Sequence, residues 1–305
     1  MPNTVWIGEI EVVSLLDAVE DIGDPDILDP SHGPSDSAWV PWKALYPAVF
    51  APGGGWRLHV RATLLRARGH AILVDTGVGG PSSTAMSWYP GPGHLMASLA
   101  DNGTSPGDVE VVVITHVHDD HIGGTVTDLG EPAFPNARYL VNRIDLDWQE
   151  ELARHSDEDQ AIWDGLLSPL RSKGLVQAVD GTHEVMPGIQ TRHVPGHTPG
   201  HQVVVVSDGG ASLLLSGDAI NHPAQLQELG LGGGPDEDAE TARRLRRMLI
   251  DELVDSDRVL APSHFAEPFG RVVSDGPAGG ITWVPLDARS DPLGPGFWSP
   301  NSPPG

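Results

Sequence analysis

The stretch from Val109 to Gly124 constrains this chain more than any other. Val109 to Ile114 is an apolar run of strand length, and it empties directly into Thr115-His116-Val117-His118-Asp119-Asp120-His121-Ile122-Gly123-Gly124. Such a density of imidazole and carboxylate at the mouth of a buried strand points to metal ligation. Histidines two positions apart in an extended or tightly turned segment face the same side, so His116 and His118 can reach one ion. Asp120 and His121 then point elsewhere and cannot easily crowd onto it. The spacing therefore predicts two neighbouring ions, whose remaining ligands must stand at the ends of later strands. Three segments qualify: His197 in Gly196-His197-Thr198-Pro199-Gly200-His201, Asp218 in Leu215-Ser216-Gly217-Asp218, and His264 in Ala261-Pro262-Ser263-His264.

Composition narrows the chemistry. Cysteine is absent from the 305 residues, so any metal must be held by His, Asp and Glu. Zinc suits such a set, with Zn–N bonds of about 2.0–2.1 Å, and Mn, Fe or Co also accept nitrogen and oxygen ligands. The formal net charge is -24 and all but two of the 18 basic side chains are arginine, with no basic face to follow a phosphate backbone. Nucleic acid is not an expected partner. Nor is a membrane, since no apolar stretch approaches the ~20 residues of a bilayer span. With no secretion signal between Met1 and Val13, the expected location is cytoplasmic.

The pattern along the chain alternates strands and helices. Val5 to Val12 reads as an opening strand, followed by an excursion over residues 23–56 that is rich in Pro, Gly and Asp and carries Trp39, Trp42, Tyr46, Phe50 and Trp56. Those aromatics argue against disorder. They either plug the core or a homodimer contact, or they form a substrate wall or lid. Arg57 to Arg66 and His70 to Val74 are strands across Ala67-Arg68-Gly69, and Gly91 to Asn102 is a helix closed by Gly103. After the metal loop come a strand at Ala137 to Val141 and helices at Arg143 to His155 and Glu158 to Lys173, the second interrupted near Pro169. Strands follow at Leu175 to Val179, Glu184 to Met186 and Ile189 to His193, then a hairpin, Val203 to Val206 and Ser212 to Leu215. Residues 236–255 form the clearest helix, with acidic residues in its first turn and Ala242, Leu245, Leu249 and Leu253 on one face. Arg258 to Ala261 is the strand ahead of His264. This gives one domain over residues 1–275 and an extension over 276–305, apolar only at Ile281 to Leu286.

These four ligand-bearing pieces, with Val74-Asp75-Thr76-Gly77 upstream, resemble the metallo-β-lactamase superfamily over roughly residues 57–270. The resemblance implies an α/β fold, the αββα four-layer sandwich. It also implies a ligand scheme: His116, His118 and His197 on one ion, Asp120, His121 and His264 on the other, and Asp218 bridging. Asp75 would orient a loop histidine, and His201 would pack behind the ligands. Lactamases of this superfamily lack the bridging aspartate, so Ser216-Gly217-Asp218 favours the dinuclear hydrolases. Asp75-Thr76-Gly77-Val78-Gly79-Gly80 and Val185-Met186-Pro187-Gly188-Ile189 look like the branch of acyl-homoserine lactone lactonases and methyl-parathion-type hydrolases. The expected reaction is attack of a hydroxide on a lactone or carboxylic ester, with Asp120 passing a proton to the departing alkoxide. Organophosphate triesters, then glyoxalase II-like thioesters, are the alternatives, and mononuclear-iron persulfide dioxygenation is a different class on the same loop. Trp39, Trp42, Phe50 and Trp88 are expected as an apolar substrate wall, and His222, four residues past Asp218, either lines the pocket or packs.

Overall fold

The computed structural model describes residues 3–22, 37–231, 235–274 and 280–286. Residues 23–36 of the excursion and the tail from residue 287 lie outside them. Two seven-stranded sheets form the centre. The first runs in chain order: β1 (Thr4–Ile7), β2 (Ile10–Asp21), β3 (Arg57–Ala67), β4 (His70–Val74), β5 (Val109–Val113), β6 (Arg138–Asn142) and β7 (Val176–Val179). Its first four strands are antiparallel and β4 to β7 are parallel. The second sheet holds β8 (Thr182–Met186), β9 (Ile189–His193), β10 (Gln202–Asp208), β11 (Ala211–Leu215), β12 (Val259–Ala261), β13 (Gly270–Ser274) and β14 (Ile281–Pro285). Only β11 and β12 are parallel there, joined by a long crossover.

Strands that read as continuous apolar runs are those buried on both faces. Ile72, Val74, Val111 and Val113 of the first sheet meet Val204, Val206, Leu213 and Leu215 of the second in one cluster between the sheets. Their alternating neighbours Leu73 and Val112 face outward, against Leu95 and Leu99 of the Leu95–Asp101 helix and Leu146 of the Arg143–Leu152 helix. On the far side Val203, Val205 and Leu214 pack on Leu249, Ile250 and Leu253 of the Ala239–Leu253 helix. The layers are therefore helix, sheet, sheet, helix, as expected. The helices are α1 (Val40–Leu45), α2 (Leu95–Asp101), α3 (Asp119–Ile122), α4 (Arg143–Leu152), α5 (Asp157–Ile162), α6 (Ser168–Ser172) and α7 (Ala239–Leu253).

Several boundaries differ from the pattern reading, each for a local reason. The opening strand is a hairpin, because Gly8 turns the chain and Ile7 pairs with Ile10. The helix expected from Gly91 starts at Leu95. Its first turn is capped from outside by the Asp17 carboxylate, which accepts from Leu95 N at 2.7 Å and Val78 N at 2.8 Å. Between α5 and α6 the chain widens into a π turn over Trp163–Leu167, upstream of Pro169, which sits at the start of α6. Ile281–Pro285, placed in the extension on pattern alone, pairs with β13 and forms an edge of the second sheet.

Candidate metal centre

Loops at one end of the sandwich converge on a single point between the sheets. β5 ends at Val113, and His116 to His121 follow it, with α3 starting at Asp119. Gly124 explains the glycine pair that closes the loop: a Cβ there would lie 2.2 Å from the Thr76 carbonyl oxygen, so a larger residue would push the metal loop off the Asp75 loop. His197 lies between β9 and β10, Asp218 follows β11, and His264 follows β12. The candidate ligands thus come from loops of both sheets.

Their atoms form two overlapping groups. His118 Nδ1 lies 3.1 Å from His116 Nε2 and 3.0 Å from His197 Nε2. Asp120 Oδ2 lies 3.6 Å from His121 Nε2 and 3.5 Å from His264 Nε2. Asp218 stands between them, Oδ1 at 3.1 Å from both His121 Nε2 and His264 Nε2, and Oδ2 at 3.2 Å from His264 Nε2 and 3.4 Å from His197 Nε2. Bonds of about 2.0–2.1 Å in a tetrahedral site put ligand atoms roughly 3.3 Å apart, which these separations match. His121 Nε2 and Asp218 Oδ1 are buried without a hydrogen-bond partner despite their 3.1 Å separation. Two buried polar atoms this close, each without a hydrogen bond, are what a shared cation would satisfy. The residues therefore fit two metal ions.

The opposite edges of the His116, His121, His197 and His264 rings are anchored, as ligating imidazoles would need. His121 Nδ1 lies 2.8 Å from Asp75 Oδ2, and Thr115 donates to the same carboxylate from both its backbone N–H and its hydroxyl. His116 Nδ1 reaches the Thr115 hydroxyl, so Asp75 steadies both rings. His264 Nδ1 donates to the His59 carbonyl at 2.8 Å. His201 is not among the converging atoms: its Nε2 accepts from the Asp218 backbone N–H at 3.0 Å, shaping the turn that presents that carboxylate. Pattern reading did not find Asp236, whose Oδ1 lies 3.2 Å from His197 Nδ1. It also missed Asp145, which accepts from Val117 N and Thr198 Oγ1 and ties the His118 loop to the His197 loop.

The electrostatics suit cation binding. Burial and neighbouring imidazoles hold His116 and His118 well below the usual histidine range, neutral and ready to donate lone pairs. Burial would also lower His121, but the Asp218, Asp120 and Asp75 carboxylates overcome it and raise this ring. Burial opposes ionisation of Asp218, yet His264 and His121 keep its carboxyl well below the ordinary value.

A cavity of about 230 Å³ opens over the group. Its floor includes His118, Asp120, His197, Asp218 and His264, and Ile22, Trp56, Leu58 and Trp88 form apolar wall. Trp88 donates from Nε1 to Asp119 at 3.0 Å. Trp88 thus lines the cavity, but the expectation for Trp39, Trp42 and Phe50 is corrected: they are 0%, 8% and 7% exposed and pack inside a cluster with Val49 and Leu58. Large aromatics gain more from that burial than from an open wall. Of the two readings of His222, the structure shows packing: it is fully buried, its ring 5.3 Å from both Trp39 and Phe50. Trp56 and Asn221, absent from the expected wall, do line the cavity. With its amide oriented to satisfy hydrogen bonding, Asn221 donates to Asp218 O at 2.8 Å and Oδ2 at 3.3 Å.

Residues 55–264 match the family model described as the metallo-beta-lactamase superfamily. The chain belongs to the metallo-beta-lactamase superfamily. An N-acyl homoserine lactonase of Bacillus sp. is 28% identical over 67% of this chain and 82% of its own length. Metallo-beta-lactamase domain-containing protein 1 of Mus musculus is 30% identical over 85% of this chain and 79% of its own. Among solved structures, AidC, a dizinc quorum-quenching lactonase in complex with a product N-hexanoyl-L-homoserine, superposes with a TM-score of 0.75, covering 93% of this chain and 97% of its own at 22% identity.

Proposed function

We propose that this metal-dependent hydrolase of the superfamily opens the lactone ring of N-acyl homoserine lactones at a dinuclear, zinc-preferring centre. The observation that carries the reading is the position of the Asp218 carboxylate between the two groups, Oδ1 at 3.1 Å from His121 and His264, and Oδ2 at 3.2 Å from His264 and 3.4 Å from His197. Two bound divalent ions supply water that ionises near neutral pH and a polarised carbonyl. The seven side chains His116, His118, Asp120, His121, His197, Asp218 and His264 would hold them. Asp120, which lines the cavity floor, would carry a proton to the departing alkoxide. Ile22, Trp56 and Leu58 offer an acyl chain an apolar seat and keep bulk water from the reacting ester. The existence of N-acyl homoserine lactonases among the relatives supports the same substrate class.

The test is a hydrolysis panel on zinc- and manganese-loaded protein: acyl-homoserine lactones of several chain lengths, simple lactones, aryl esters, paraoxon and S-lactoylglutathione. Turnover of the acyl-homoserine lactones, lost in His118→Ala, is expected. Turnover of the thioester alone would overturn the proposal.

A further inference from the structure

The longest helix of the described chain carries a charge where packing alone would favour an apolar side chain. Arg246, on the inner face of α7, is 1% exposed and is among the largest fully buried side chains. A buried guanidinium is costly unless every donor direction is answered. Here three are answered. Nε donates to the Ala219 carbonyl at 2.7 Å, Nη1 to the Leu229 carbonyl at 2.6 Å, and Nη2 to Asp236 Oδ2 at 3.1 Å. The other oxygen of Asp236 faces His197 Nδ1. Ala219 is the residue after Asp218, so one guanidinium touches the surroundings of two proposed ligands.

The backbone repeats the arrangement. Glu237 N donates to the His197 carbonyl at 3.1 Å and Asp238 N to the Gly196 carbonyl at 2.9 Å. Gly196 has φ of +133°, and a Cβ on it would lie 2.4 Å from Ala242 N, so α7 rests directly on the His197 loop. The imidazoles of the other ligand group are oriented independently, His121 by Asp75 and His264 by the His59 carbonyl.

We infer that Asp236 and Arg246 are a positioning pair for the His116, His118 and His197 half of the centre. Asp236 fixes His197 with its proton on Nδ1, which leaves Nε2 aimed at His118 Nδ1 and Asp218 Oδ2. Arg246 locks Asp236 and, through the Ala219 carbonyl, the turn that presents Asp218. The inference rests on the dinuclear reading for what the pair serves, but the hydrogen bond to His197 does not.

The experiment compares wild type with Asp236→Ala, Asp236→Asn, Arg246→Met and Arg246→Lys. Each zinc-free protein is titrated with zinc against a chromophoric chelator, and its histidine ¹⁵N spectrum is recorded before any zinc is added. Asp236→Ala is expected to weaken one of two zinc-binding steps by about 10–100-fold, the usual effect of losing a ligand's hydrogen-bond partner, and to leave the other step and the circular dichroism unchanged. Asn, which still accepts from Nδ1–H, restores most of that affinity, and Lys restores more than Met at position 246. The ¹⁵N spectrum shows His197 protonated on Nδ1 in wild type and in Asp236→Asn, and mixed tautomers in Asp236→Ala. Unchanged zinc steps and an unchanged tautomer in Asp236→Ala would overturn the pair, as would equal weakening of both steps with loss of circular dichroism. Should wild type bind fewer than two zinc ions, the dinuclear reading falls, and the His197 tautomer still decides for or against the pair. Should Arg246→Met fail to fold, the Asp236 variants decide it.

Discussion

Asp75 sits with φ of +60°, a conformation uncommon for a side-chain-bearing residue, and answers three donors: Thr115 N, Thr115 Oγ1 and His121 Nδ1. Removing it orphans buried groups at on the order of 1–3 kcal/mol each, so Asp75→Ala is expected to destabilise the zinc-free protein by roughly 3 kcal/mol in urea unfolding. It should also release the ring of His121, lowering zinc stoichiometry. His222 gives a prediction in pH. Burial pushes it down to about 3, below the usual histidine range, and its Nδ1 accepts from Ala224 N. The unfolded chain takes up this proton as pH falls below about 6.5 while the folded one does not, so stability is lost toward acid, at about 1.4 kcal/mol per pH unit from this group. His222→Asn keeps a cap acceptor and loses the titration. Its stability should fall less than wild type's between about pH 6.5 and about pH 4.5, compared by urea unfolding of the zinc-free proteins. At this scale the candidate ligand cluster was legible because His-x-His-x-Asp-His compresses most of it into six positions. Asp236 and Arg246 were not, since an aspartate before a helix reads as a cap and an arginine within one reads as a solvated face.

Elements whose periodicity comes from burial were legible, whereas those started or ended by a distant side chain were not. The apolar strands β5, β10 and β11 and the helix α7 fall close to their expected ranges because one face or both must leave water. By contrast, α2 depends on Asp17, a residue 78 positions from Leu95, and no local signal before Leu95 marks the start. Asp17 is placed by an irregularity in the β2–β3 register between Leu16 and Ala18, which turns its carboxylate toward two loops. Asp17→Ala leaves Val78 N and Leu95 N without an acceptor, and the expected loss is on the order of 2–4 kcal/mol of stability by thermal or urea unfolding. Hydrogen exchange should quicken first in α2 and the 76–79 loop. If exchange rose equally in α7, which makes no bond to Asp17, the element-level account would be wrong.

Across the whole molecule the two sheets meet at an apolar interface and, at one rim, at the candidate ligand group. Sheet-one loops contribute His116, His118, Asp120 and His121, while sheet-two loops contribute His197, Asp218 and His264. Ions held as proposed would therefore act as staples between halves that each have their own helix layer. Binding only the folded state stabilises by RT ln(1 + [L]/Kd), about 4 kcal/mol for each ion at a free concentration a thousand times its Kd. Without ions, His121 and His264 are left as raised imidazoles around the Asp218 carboxylate, and His116 and His118 as neutral rings packed nitrogen to nitrogen. The rim alone loses its bonding; the cluster of Val74, Val113, Val204 and Leu215 between the sheets does not. Chelation is thus expected to lower the melting temperature and speed exchange in the loops after β5, β11 and β12, leaving the amides of the central strands protected and the far-ultraviolet circular dichroism nearly unchanged. Zinc should restore the melting temperature in a concentration-dependent way. Collapse of the central strands on chelation would mean that metal binding drives folding of the whole sandwich, and that the sheet interface is not self-sufficient.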